Sequence, residues 1–134
     1  MINLKEAFSE GMNLARVSDV NHKEIDGVIE MIRRELFDFT KGKVELRLRR
    51  ARPNEIDLSA SARYGGITQI IELVGNSEIF GIGKLMRGDL GYPCYLFFPG
   101  HTLQIADRDA LGSAFSDLFK TYAVGSILFK LSEK

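Results

Sequence analysis

The hydrophobic pattern of this chain changes period near residue 42, and that change limits the fold more than any other feature. Before it, apolar residues recur at the 3.6-residue spacing of amphipathic helices. After it, they alternate with polar residues, as in strands with one buried face. Helices gathered at the ends of a chain, with strands between them, specify an α+β fold rather than an alternating α/β fold.

The helical part reads as two N-terminal helices. Asn3 and Glu6 have the spacing of a capping box, and Leu4, Ala7, Phe8, Met12, Leu14 and Ala15 follow at helical spacing, so the first helix covers 4–16. Asn21 and Glu24 repeat the cap signal. Ile25, Val28, Ile29, Ile32, Leu36 and Phe39 then form one apolar stripe opposite Lys23, Asp26, Glu30, Arg33 and Arg34, which gives a second helix over 22–39.

Beyond Gly42, Val44, Leu46 and Leu48 alternate with Lys43, Glu45, Arg47 and Arg49 as a first strand. Ile56, Leu58, Ala60 and Ala62 read as a second strand over 56–63. Residues 67–74 and 78–86 read as two more, and 92–98 with 102–106 as a terminal hairpin around Pro99-Gly100. The short turns predict an antiparallel meander of about five or six strands. Asp107 or Asp109 caps a C-terminal helix over 108–122 that packs on one sheet face. Residues 124–131 suit either a second short helix or a strand, with a lean to the helix. No linker, repeat or low-complexity segment divides residues 1–134, so the expectation is a single α+β domain.

Composition removes several function classes. Lysine plus arginine equals aspartate plus glutamate at 18 each, and this balance disfavours a dedicated nucleic-acid binder. One cysteine, Cys94, makes neither an internal disulfide nor a cysteine-rich zinc site. Lys5, Glu6 and Glu10 interrupt any apolar leader, and no apolar run approaches the ~20 residues of a membrane helix. The cytoplasm is the expected location, with no membrane contact.

Catalytic chemistry is hard to find. The two histidines, His22 and His101, make no metal motif, and Gly81-Ile82-Gly83-Lys84 fails as a phosphate loop because Leu85 follows the lysine. Cys94 and His101 would lie about 13 Å apart along one hairpin, too far for a nucleophile–base pair. We therefore assign no catalytic, cofactor-binding or metal-ligating residues, and expect no cofactor. Three surfaces carry the functional alternatives. A two- or four-residue hairpin loop puts Tyr95 and Phe97 on one face with Thr102 and Gln104, an aromatic patch suited to a protein interface. Lys43, Arg47 and Arg49 share a strand face within the basic segment 41–52 and could meet an acidic partner or phosphates. Gly81 and Gly83, two apart in a strand, could leave a bare groove for a small ligand. The leading reading is a non-enzymatic protein-interaction or homo-oligomerising domain, its partner another protein or itself. The alternatives are a small-ligand or nucleic-acid binding domain, and a small enzyme of a kind not recognised from these motifs.

Overall fold

A computed structural model of the chain describes residues 2–59 and 66–133. It begins with a single 36-residue helix, α1 (Leu4–Phe39). The five strands β1 (Glu45–Arg50), β2 (Ile67–Gly75), β3 (Glu78–Gly88), β4 (Gly91–Phe98) and β5 (His101–Ile105) follow, and then α2 (Arg108–Phe119) and α3 (Tyr122–Ser132). The sheet is an antiparallel meander in the order β1-β2-β3-β4-β5. The fold is thus the α+β arrangement read from the sequence, with residues 124–131 helical.

The two expected N-terminal helices are one. Asn3 caps the start, its side chain accepting from the Glu6 N–H at 3.1 Å. No glycine or proline falls between Gly11 and Gly27, so nothing breaks the helix at 17–21. Asn21 does not cap; its side-chain amide donates to the Leu90 carbonyl at 2.8 Å. The helix stops at Thr40, whose hydroxyl donates to the Leu36 carbonyl at 2.9 Å and accepts from the Val44 N–H at 3.1 Å. Gly42, at φ +78, then turns the chain toward β1.

The second expected strand also differs. Residues 53–55 form a 3₁₀ turn, and the Asp57 carboxylate captures the Ser59 N–H at 2.9 Å, a local bond that competes with a strand ladder. β2 occupies the place beside β1, and residues 60–63 of the expected strand lie outside the described residues.

One side of the sheet carries the core. Leu46, Leu73, Leu85, Leu96, Cys94 and Ile105 point inward and meet Ile25, Val28, Ile29 and Leu36 of α1, Leu111, Phe115 and Leu118 of α2, and Val124 and Leu131 of α3. Ile32 is half-buried against the same cluster. The terminal hairpin has the two-residue-loop register: Cys94 pairs with Ile105, Leu96 with Leu103 and Phe98 with His101. Among the described residues, no helix is long and apolar enough to cross a membrane.

Candidate functional site

The basic row on β1 is balanced by carboxylates inside the fold. Arg47 donates to Glu72 at 2.9 Å, and Arg49 bridges Glu72 at 3.0 Å and Glu55 at 2.7 Å. Glu72 stands on the outer sheet face with its side chain only 7% exposed. Burial pushes its carboxyl pKa up, but the two guanidiniums outweigh burial and hold it below the ordinary range. Hydrogen bonds from Arg49, and from the Arg52 backbone, hold Glu55 down at about 2. Lys43 donates to the Ser132 carbonyl at 2.8 Å. All three predicted anion contacts therefore already have partners within the chain.

Tyr95 and Phe97 lie on the outer sheet face, beside Gln104 and Thr102 as the pattern required. The helices pack on the inner face, and the two rings are half-buried while Thr102 and Gln104 are exposed. Across the sheet, Tyr95 pairs with Met86 and Phe97 with Lys84. The Lys84 ammonium reaches the Glu55 carbonyl at 2.9 Å, which ties the 53–55 turn to this face.

Gly81 and Gly83 do not share a face. A bulge pairs Gly81 with Glu72 and Gly83 with Ile71, leaving Ile82 as the extra residue. A Cβ on Gly83 would come within 2.8 Å of the Phe97 carbonyl oxygen, so this glycine admits a neighbouring strand. A Cβ on Gly81 would meet only Ile70, at 3.9 Å. Both glycines line a cleft of about 970 Å³ that runs from Ile70 and Lys84 past the Pro99-Gly100 turn to Ile127 of α3.

The feature missed in the sequence is the first half of α1. Residues 2–17 are all exposed, so the helix projects from the domain as an arm. Residues 4–17 of it extend roughly 21 Å at 1.5 Å per residue. Leu4, Phe8 and Leu14 are 58%, 63% and 56% exposed. Together with Ala7, Gly11 and Ala15 they make a stripe of the kind that normally faces a core. The polar face holds Lys5, Glu6, Glu10 and Arg16, two charges of each sign.

The arm leaves the domain at a built junction. Ser18 donates to the Asp89 carbonyl at 2.6 Å, and the Tyr92 hydroxyl donates to Glu24 at 2.8 Å. Burial, and the Glu24 carboxylate, hold the Tyr92 hydroxyl above the ordinary phenol range. Gly91, at φ +83, lets the β3–β4 turn press against α1, where a Cβ would come within 2.8 Å of the Asn21 Cβ. The absence of any break between residues 12 and 26 was the available signal that one helix runs through this stretch; nothing in its pattern signalled that the first half projects.

Cys94 is fully buried, and burial pushes its thiol up to about 11. His101 stacks on Phe98 with ring centroids 4.7 Å apart and pairs with it across the hairpin, whereas Cys94 pairs with Ile105. Among the described residues, no group of three or more His, Cys, Asp or Glu side chains is placed to hold a metal ion. Comparison with protein-family models, with curated proteins and with solved structures finds no match to this chain.

Proposed function

We propose that the chain is a protein-interaction domain whose main contact element is the α1 arm. One observation carries this reading: a helix face of core character continues beyond the sheet into solvent. A helix of about a dozen residues is marginal in water unless its apolar face packs on something. The polar face of the arm has no net charge, which fits a protein surface better than an anionic membrane. A photo-cross-linking residue at position 8 should give protein adducts in the producing cell. Adducts at position 95 with none at position 8 would move the interface to the aromatic sheet face.

A second reading is a small-ligand domain using the cleft beside Gly81. It is favoured by a volume within the usual ~300–1,000 Å³ of ligand sites and by a mainly apolar wall edged with Lys84 and Thr102. Gly81→Leu, which fills open space, should abolish any such binding and leave adducts at position 8 unchanged.

A further inference from the structure

The stripe on the arm is in phase with the stripe that packs on the sheet. Leu4, Gly11, Ser18, Ile25 and Ile32 are spaced by sevens, and so are Phe8, Ala15, His22, Ile29 and Leu36. Seven residues return a straight helix to within about 20° of the same direction, so the three heptads from Leu4 to Ile25 turn the stripe by about 60° and keep it on the same half of the helix. The arm therefore turns its apolar face toward the side on which its own sheet lies, but beyond the end of that sheet.

Resting on the reading of the arm as a protein contact, we infer that its occupant is the arm of a second copy, paired antiparallel. Each copy carries the same exposed length and the same unsatisfied stripe, so one arm supplies what the other lacks. Side-by-side packing over roughly 21 Å of helix buries on the order of 1,000 Å² in total, the size at which specific interfaces begin. Two charges of each sign on the polar face give the pair no net repulsion. Gly11, mid-arm on the stripe, would have nothing within 4 Å of a Cβ, and it leaves room for a second helix to come close.

The phase of the stripe fixes the direction of pairing. In a parallel pair each sheet would stand where the other copy's helix runs, because each sheet lies on the side its arm faces. In an antiparallel pair the partner's arm continues the sheet layer beyond the sheet's end. The two domains then sit at opposite ends of the paired arms.

Sedimentation of the full chain from 1 to 100 µM, with a nitroxide at Lys23→Cys for distance measurement, tests this. Cys94 is fully buried and stays unlabelled. The expected result is a dimer whose two labels lie roughly 35–40 Å apart, from 1.5 Å per residue on each side of the arm centre. Phe8→Gln with Leu14→Gln should weaken the dimer by about 100-fold or more. Amide exchange at Ile25–Leu36 should stay protected in that variant, which checks that the domain is folded. A monomer at every concentration overturns the inference while leaving the arm as a contact for a different protein. A dimer that survives the double substitution also overturns the inference, and the absence of protein adducts at position 8 would overturn the arm reading itself. Labels at close to the ~10 Å spacing of packed helices overturn the antiparallel arrangement.

Discussion

The two halves of α1 share one stripe and meet opposite fates. Ile25 and Ile29 are 0% and 5% exposed, whereas Leu4 and Phe8, at positions three heptads earlier, are 58% and 63% exposed. Nothing in the local pattern separates them. Amphipathic spacing says that a face is built for burial and is silent on what buries it. The difference lies elsewhere: the β3–β4 turn reaches α1 only as far as Ser18, Asn21 and Glu24.

The sharpest test of this contrast is a matched pair of truncations. Ile29→Ala should cost about 2–5 kcal/mol in chemical denaturation, through lost burial and a cavity. Phe8→Ala, measured at a concentration where the chain is monomeric, should change stability by less than about 0.5 kcal/mol. Equal losses would mean that the arm folds back onto the domain. The next effect is at the junction. Gly91→Ala should cost at least about 1 kcal/mol, because alanine at φ +83 is strained and its Cβ would press on Asn21. If Gly91→Ala were neutral in a denaturation melt, the turn would not be what fixes the point where the two halves part.

Acid should act on the packed region and spare the arm. Glu55 has its pKa lowered from 4.5 to about 2 in the fold, so its ion pair stabilises above the unfolded value and is lost as pH falls from there toward 2. Glu72 is shifted the same way. Glu55→Gln should flatten the dependence of stability on pH between about 5 and 2, as read from denaturation midpoints. An unchanged slope would remove Glu55 from that linkage. The smallest expected effect is on nucleic acid. Arg47→Gln with Arg49→Gln should leave DNA and RNA titrations as flat at low salt as those of the unsubstituted chain, because both guanidiniums are already engaged by carboxylates. Binding that weakens in the variant and fades with salt would restore the anion reading.

Much of the fold could be read from periodicity because the meander is local. The facing of the terminal hairpin followed from one requirement, that Cys94, Leu96, Leu103 and Ile105 share a face; this left a two- or a four-residue loop, and the pairing has the two-residue form. Two other expectations failed where a side chain did something the pattern does not encode. Asn21 looked like a cap and instead binds the Leu90 carbonyl 69 positions away. Asp57 sat in an alternating stretch and instead closed a local turn with Ser59. The glycine strip was misjudged because a bulge at Ile82 reverses facing between Gly81 and Gly83, and a bulge leaves little trace in alternation. The site was less legible than the fold. Tyr95 and Phe97 were placed on the correct face, but the arm was invisible because its stripe resembles any core stripe.

The order of the elements along the chain has a consequence for how the molecule is made. Each strand pairs with its neighbour in sequence, so the sheet assembles through short-range contacts, which favours rapid folding once the strands are available. α1 is synthesised before any of them. Its packed half rests on β1, β4 and α2, so its cover is incomplete until α2, which ends at Phe119, has left the ribosome. Throughout that interval the nascent chain presents one continuous stripe, from Leu4 to Leu36, and only then do the two halves of α1 become different surfaces.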